Sequence, residues 1–355
     1  MKKHKRLNRK YLINHAKKSL RLRLRFKEIK RNKRRRLIGL NKNGRLEISL
    51  KNKFKDYVHI KAPSDFSMTT NTNDTISFIS KLEKCFEKKQ KVFVDLTDIQ
   101  KIADGAIVVL LSSMSKFKSH KIDFNGNFPL DPIANKAIKD SGFFEQLYKH
   151  RIGQSDKYNL STSRIFTHAN KKVDQLLSSE IIQNVSKKIW GEEKRCTGLQ
   201  RVFIELMQNT NNHASLIQIG EHHWWVSVSY DKNENKACFS FIDYGVGIIK
   251  SIKTDPKSKF FKFKEQIKEL FNPNTDAEML QLLLQGKIHS STGKYYRGKG
   301  LPGIFDASMN NKISNLVVIS NKGYADVSNN EYKILNNEFT GTFVYWELNY
   351  TNERI

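Results

Sequence analysis

The chain has 355 residues and a formal net charge of +28. This length is enough for two domains with hydrophobic cores of their own. Its three cysteines are far apart and show no metal-ligand spacing, which indicates reduced thiols rather than a disulfide-rich secreted domain. The basic N-terminus contains no secretory signal, and the longest strongly apolar run, 106–111, is far too short to cross a bilayer. We therefore expect a cytoplasmic protein with no transmembrane segment.

Most of the excess charge lies in a basic N-terminal arm, residues 1–55. The arm contains 23 Lys and Arg residues and two acids, a net charge of +21, whereas the rest of the chain carries only +7. LRLRLRF (20–26) alternates apolar and basic residues and predicts a strand with one charged face, and KEIKRNKRRR (27–36) predicts a helix or an unfolded tail. This charge density favours a polyanion partner, RNA or DNA, although an acidic protein or a membrane surface would satisfy the same electrostatics.

Residues 56–150 predict a small α/β domain. Strands and helices alternate there, at 91–96, 105–117, 121–126 and 132–147. This order predicts a βαβ unit with parallel strands. Residues 151–165 are polar and aperiodic and predict a linker.

Residues 166–355 predict a larger α/β domain. Helices are expected at 171–190 and 201–215, and the Lys-rich stretch 250–292 is expected to be partly helical. The predicted strands are 223–230, 236–243, 315–320, 331–335 and 341–348. The first two flank DKNEN, a good hairpin turn.

The helix predicted at 201–215 carries an unusual polar stripe. Glu205, Asn209 and His213 stand four residues apart and therefore lie along one face of the helix, beside its apolar positions. An acid, an amide and an imidazole in one stripe indicate either a solvated face or a binding site.

Three further motifs follow in order. FIDYGVGI (241–248) ends a strand at Asp243, just before two glycines that allow a tight turn or a close approach to a ligand. YYRGKGLPGIFDA (295–307) places a glycine-rich loop before a helix, a general way to cradle phosphate with free backbone N–H groups. TGTFVYWEL (340–348) puts Thr342 at the start of a strand.

The four motifs together resemble the N, G1, G2 and G3 boxes of the GHKL ATPases, the superfamily of gyrase, MutL and the histidine kinases. The resemblance covers residues from about 165 to 350. It implies a Bergerat-type α/β sandwich, in which helices cover a mixed sheet and which binds ATP and Mg²⁺. The chain departs from the family pattern at Thr210, Asn212 and Pro302, and Pro302 limits backbone N–H donation.

The resemblance also implies roles for individual residues. Asn209 would bind Mg²⁺ through its amide oxygen, and Glu205 would be the catalytic group that orients or deprotonates the attacking nucleophile. Asp243 would accept a hydrogen bond from the adenine amino group. The remaining nucleotide contacts would come from Gly245, Gly247, Arg297, Gly298, Lys299, Gly300, Leu301, Gly303 and Thr342. His213 is more often a packing residue than an acid–base group.

The first domain resembles a STAS domain, the fold of anti-sigma-factor antagonists. In that family a serine after an acid at a helix start is phosphorylated, but the matching stretch here is Ala103-Asp104-Gly105-Ala106, with no hydroxyl. We therefore expect a structural or docking role, with a protein as a possible partner. Ser112 and Ser113, deeper in the helix, are interpreted as ordinary polar positions.

Three functional hypotheses follow. The first is a slow Mg-dependent ATPase that acts as a nucleotide-driven conformational switch in a nucleic-acid-associated or multi-protein complex. The second is an anti-sigma-type protein serine/threonine kinase that phosphorylates a partner. The third is a nucleic-acid-binding protein with a non-catalytic nucleotide pocket. The pattern gives no oligomeric state.

Overall fold

The structure is a computed structural model that describes residues 17–30, 54–141, 164–170, 173–213, 223–254, 275–287 and 300–352. Contacts divide the chain into two units, residues 1–57 and residues 58–355, and each unit is described by itself. The second unit is a mixed α/β fold with parallel and antiparallel sheets. No helix in the described ranges is long and apolar enough to cross a membrane.

The first unit contains a helix, α1, over residues 17–30. The strand predicted at 20–26 is therefore wrong. Leu, Arg and Lys all favour helix, and no β-branched residue occurs between 17 and 28. The helix propensity of these residues therefore opposes the strand that the alternating pattern predicts. All but one of the α1 side chains are exposed. Most of the stretch predicted as helix or unfolded tail, 31–36, lies outside the described residues.

Residues 58–141 form the parallel βαβ arrangement that the sequence predicts. The strands are β1 Val58–Lys61, β2 Asp65–Phe66, β3 Val92–Asp95, β4 Lys101–Ile102 and β5 Phe124–Gly126. The helices are α2 Thr72–Glu87, α3 Asp104–Ser119 and α4 Pro132–Asp140. β1, β3 and β5 form one parallel sheet, and β2 pairs with β4 in another. The predicted extension of α4 to 147 lies outside the described residues, as does most of the predicted linker.

Residues 164–352 form an antiparallel sheet with its own helices. Its strands are β6 Arg164–Asn170, β7 His223–Asp231, β8 Lys236–Asp243, β9 Ser314–Asp326 and β10 Glu331–Asn349, in the order β6-β7-β8-β10-β9. The helices are α5 Gln175–Trp190, α6 Thr197–His213, α7 Ile248–Thr254, α8 Asp276–Leu284 and α9 Gly300–Met309. The predicted hairpin of β7 and β8 is confirmed.

β10 joins two strands that the sequence treats as separate. It pairs with β9 on both sides of an irregularity, with register shifts at Phe339 and Thr342. Asn336 and Asn337 have low strand propensity, and Gly341 adopts a positive φ. These residues interrupt the local strand pattern, but β10 stays paired with β9 before and after the bulges.

Helices cover both faces of the five-stranded sheet. Phe241 and Val344 point to one face, where they share a core with α5, α6, α8 and α9. Ile242 and Phe343, the next residue on each strand, point to the other face and share a core with α2 and α3. α2 and α3 also contact strands of the three-stranded sheet, so they lie between two sheets. The regions predicted as two domains therefore share one core.

The position of α3 between two sheets explains its apolar composition. Its run 106–111 is buried at every residue. A helix that contacts sheets on two sides has no wide solvent-facing stripe, so it is apolar around most of its circumference. The run 106–111 therefore belongs to a core helix, in agreement with the helix predicted at 105–117.

Gly105 brings α3 close to the five-stranded sheet. A methyl group at this position would lie 2.9 Å from Phe343 Cζ and 3.1 Å from Ser240 Oγ. Gly105 is therefore a buried glycine with no room for a side chain.

We expect Gly105→Ala to lower the free energy of unfolding by about 1–3 kcal/mol, since the methyl group overpacks the contact with the sheet. Gly198→Ala is the matched control. Both glycines are the second residue of a helix, but the atom nearest to a methyl group at Gly198 would be Cδ of the Lys312 side chain, at 2.7 Å, which can rotate away more easily than a buried ring. Urea unfolding of both variants measures the difference. Equal effects would contradict the close contact between α3 and the sheet.

Candidate functional site

Glu205 and Asn209 lie one turn apart on α6, and the structure brings them to the start of α9. A methyl group at Gly300 would lie 3.0 Å from Glu205 Oε2 and 3.1 Å from Asn209 Nδ2. Only a glycine at this position lets the two helices approach so closely. The first residue of α9 therefore sits directly against the polar stripe that the sequence singled out.

Glu205 is half-buried beside a cation. Burial raises the pKa of its carboxyl above the ordinary value, and Arg201 partly opposes this shift. Arg201 Nε lies 3.8 Å from Glu205 Oε1, one turn earlier on the same helix. A carboxylate with a raised pKa is suited to accept a proton at neutral pH.

The first turn of α9 presents backbone N–H groups near this carboxylate. N–H groups in the first turn of a helix have no acceptor within the helix, and Pro302 contributes none. Gly300 and Gly303 are buried and Leu301 is half-buried. The Arg201 guanidinium lies beside Gly303, where a methyl group would be 3.1 Å from its Nε. The glycine-rich stretch thus opens a helix, as predicted, and its donors lie next to a cation.

Asp243 is the last residue of β8 and pairs across the sheet with Thr342 of β10. Gly245 N–H donates to its Oδ1 at 2.9 Å, and Thr342 donates through its hydroxyl and its backbone amide. Burial outweighs these hydrogen bonds and raises the pKa of Asp243 to about 6. Asp243 alternates with Ile242 and therefore lies on the same sheet face as Phe241 and α6.

Gly341 allows β10 to approach the end of β8. Its φ is +111°, and a side chain there would place Cβ 2.0 Å from the backbone oxygen of Asp243. A residue with a side chain would have to move the strand. Gly341 therefore sets the spacing between Asp243 and Thr342.

Two neighbouring residues of β9 hold the glycine loop that follows Asp243. Ser320 Oγ accepts from Ile248 N–H at 2.8 Å and donates to the Gly341 carbonyl oxygen at 3.0 Å. Asn321 Oδ1 accepts from the N–H groups of Ile249 and Lys250, both at 3.1 Å. The N-terminus of α7 is therefore capped from another strand and is not free to bind a ligand.

Asn321 also explains the second glycine of the loop. Gly247 has a φ of +83°, and a methyl group on it would lie 2.5 Å from Asn321 Oδ1. Asn321 Nδ2 donates to the Val246 carbonyl oxygen and to Glu338 Oε1, each at 3.0 Å. One buried amide thus satisfies four groups around the loop.

Some predicted site residues lie outside the described part of the chain. These are Arg297, Gly298 and Lys299. His213 belongs to α6, but its side chain is not described. Thr210 is buried and donates its hydroxyl to the Leu206 carbonyl oxygen at 3.1 Å. It therefore completes its own helix and takes no part in the site.

Three residues around the site, Arg201, Ser320 and Asn321, are not predicted from the sequence. Arg201 has a readable signal, since it stands four residues before Glu205 on a predicted helix. Ser320 and Asn321 are buried polar residues in the middle of β9, and their partners in the glycine loop are about seventy residues away in the sequence. No local pattern indicates which loop they bind.

Comparison with known protein families and curated proteins gives no match. No protein-family model matches the chain, and a search of curated proteins finds no match. Within the described residues no group of three or more His, Cys, Asp and Glu side chains is arranged to hold a metal ion. The residues at the start of α9 and at the end of β8 are therefore the basis for any functional assignment.

We expect Asn321→Ala to lower the free energy of unfolding by about 2–4 kcal/mol, because it leaves buried backbone groups without partners. Asn330→Ala is the matched control, since both residues have positive φ but Asn330 is exposed. It measures the backbone cost alone, about 1 kcal/mol. Chemical denaturation compares the two variants. A loss at Asn321 no larger than that at Asn330 would show that the amide does not hold the loop.

Proposed function

We propose that the chain binds ATP with Mg²⁺ between α6, the end of β8 and the start of α9, hydrolyses it slowly, and uses binding as a conformational switch. The observation that carries the proposal is the close approach of Gly300 to Glu205 and Asn209. This contact joins an acid, an amide and a helix N-terminus, which are the groups that bind and cleave a phosphate chain.

Asp243 is proposed to recognise the base. A carboxylate at the end of a strand, already oriented by Gly245 and Thr342, is a specific acceptor for the amino group of adenine. A guanine base presents a carbonyl oxygen at the corresponding position and would meet the carboxylate unfavourably. Gly245 leaves the backbone bare beside the carboxylate, so a flat ring can approach it.

The residues at the start of α9 fit a phosphate-bound magnesium ion. Asn209 supplies an amide oxygen, a ligand type that Mg²⁺ accepts, and its side chain lies against the first residue of α9. When bound, Mg²⁺ would neutralise part of the negative charge of the phosphates. Mg²⁺ is usually bound by one or two protein groups together with water and substrate phosphates. A site with few protein ligands is therefore suited to Mg²⁺ that arrives with a nucleotide.

Glu205 is proposed to act on the attacking water. Its raised pKa favours proton acceptance, and Arg201 fixes the side of the carboxylate that faces away from Gly300. The N–H groups of Gly300 and Leu301, in the first turn of α9, are available to phosphate oxygens. Pro302 removes one donor from this set, which is consistent with slow hydrolysis.

We expect ATP with Mg²⁺ to raise the unfolding temperature of the full chain. Because the pKa of Asp243 is about 6, its carboxyl is protonated at pH 5, and ATP affinity should be about tenfold weaker at pH 5 than at pH 7. Asp243→Asn should remove this difference. Titration of the nucleotide phosphates is common to both proteins, so their comparison isolates Asp243. No stabilisation of the wild type at any pH, with or without nucleic acid, would contradict ATP binding.

Glu205→Gln separates hydrolysis from binding. It should keep ATP affinity within about threefold but reduce phosphate release by about a hundredfold or more. Glu180→Gln is the control, since Glu180 is an exposed acid on the neighbouring helix α5. Transfer of labelled phosphate to a separate protein, in place of phosphate release, would favour the kinase alternative.

We also propose that the basic N-terminal arm binds nucleic acid. α1 exposes a dense set of cations along fourteen residues, Lys17, Lys18, Arg21, Arg23, Arg25, Lys27 and Lys30. Glu28 is the only acid within the helix. Such a surface binds phosphates by releasing counterions, without reading a sequence.

Binding of the full chain to a DNA or RNA duplex should weaken steeply with salt. Replacing Arg21, Arg23 and Arg25 together by Gln should reduce the log–log salt slope on DNA by up to about three units, close to one for each phosphate contact.

The control replaces three exposed lysines of the second unit, Lys81, Lys84 and Lys88, by Gln. This change removes the same charge from the whole protein. Equal slopes in the two triple variants, measured by fluorescence anisotropy, would show that net charge alone binds the duplex and that α1 has no special role.

A further inference from the structure

The residue after Asp243 points away from the candidate site. Asp243 lies on the sheet face that packs against α6, whereas Tyr244 packs, partly buried, into the core on the opposite face. The two side chains therefore leave one short piece of backbone in opposite directions. Whatever fixes Tyr244 also fixes the backbone that orients the Asp243 carboxylate.

Tyr244 is held by one face of α3. Ser112 Oγ lies 2.5 Å from Tyr244 Oη, and both hydroxyls lie within hydrogen-bond distance of the Val109 carbonyl oxygen, Ser112 at 2.7 Å and Tyr244 at 3.4 Å. Ser113 hydrogen bonds to the same phenol. Lys116, one turn further along α3, places its Nζ 5.9 Å from the centroid of the Tyr244 ring. Hydroxyls and a cation of one helix thus surround this side chain.

A second contact anchors the partner strand. Thr340 precedes the Gly341-Thr342 pair, and its hydroxyl donates to Glu83 Oε2 of α2 at 2.7 Å. Burial raises the pKa of Glu83, and the Thr340 hydroxyl opposes the shift. Both strands that meet at the candidate site are therefore fastened, within two residues of it, to the helices of the region that resembles a STAS domain.

We propose that Tyr244 is a positioning residue, through which Ser112 of α3 holds Asp243 in the orientation that binds adenine. The proposal rests on the proposed nucleotide site and deepens it. The region 58–141 then has a specific role, since it forms the wall behind the base-recognition residue. A partner that displaces α3 would alter nucleotide affinity without touching the nucleotide.

Coupling of this kind is reciprocal. If α3 favours the ATP-binding orientation of Asp243, ATP must in turn stabilise the contact between α3 and Tyr244. ATP should therefore slow amide hydrogen exchange in α3, whose residues do not reach the nucleotide. The effect should require the tyrosine hydroxyl.

The test measures ATP affinity of the full chain with Mg²⁺ for Tyr244→Phe, Ser112→Ala and the double variant. Each single variant should weaken binding by about three- to tenfold, the range expected for one hydrogen bond. The double variant should bind ATP with the same affinity as the single variant that binds it less tightly, because both changes remove the same contact. ATP-dependent protection of residues 108–116 should be lost in each.

Ser178→Ala is the matched control. Ser178 is a buried helix serine whose hydroxyl donates to the Gln175 carbonyl oxygen at 2.8 Å, as Ser112 does to Val109, but it lies on α5. It should lower stability about as much as Ser112→Ala and leave ATP affinity unchanged. Unchanged affinity in Tyr244→Phe, or an equal loss in Ser178→Ala, would overturn the proposal.

Hydrogen exchange of the protein without nucleotide distinguishes this proposal from the proposed function. If the wild type binds no ATP, the proposed function is wrong. Faster exchange of residues 245–250 in Tyr244→Phe, with residues 276–284 unchanged, would still support the anchor. Unchanged exchange at 245–250 would overturn it independently of nucleotide binding.

Discussion

Both faces of the five-stranded antiparallel sheet are apolar, and this constraint shapes the rest of the second unit. A sheet with two apolar faces must be covered on both sides, because exposed area of that size costs free energy in water. α5, α6, α8 and α9 cover one face, and α2 and α3 cover the other. The three-stranded sheet then covers the outer side of α2 and α3. The layers follow from this single requirement.

The same constraint places the candidate site at the end of the sheet. Along β8, Ala237, Phe239 and Phe241 point into one core and Ile242 into the other, and the strand ends at Asp243, where a carboxylate follows the apolar side chains. Burial there raises its pKa, and hydrogen bonds from Gly245 and Thr342 make the position tolerable. A polar group held at an apolar edge is costly for stability but well oriented for binding.

The candidate site and the region 58–141 are connected through short, specific contacts. Gly105 lets α3 approach the sheet, and Ser112 meets Tyr244 beyond the strand end. On the other side, Ser320 and Asn321 hold the glycine loop from β9. The loop that follows Asp243 is thus fixed from two directions, which explains how a segment with two glycines keeps a defined geometry.

By itself, the sequence determined the elements with a strong local pattern and the identity of the polar groups on them. The spacing of Glu205 and Asn209, the hairpin of β7 and β8, and the parallel βαβ order are all readable because helix and strand periods are local properties. Where local preferences oppose the pattern, as in LRLRLRF, the prediction was wrong. Only the tertiary structure decided that Gly300 meets Glu205, that Asn321 holds Gly247 and that Ser112 meets Tyr244. These contacts join residues far apart in the chain, and they depend on how the layers pack, which no local pattern specifies.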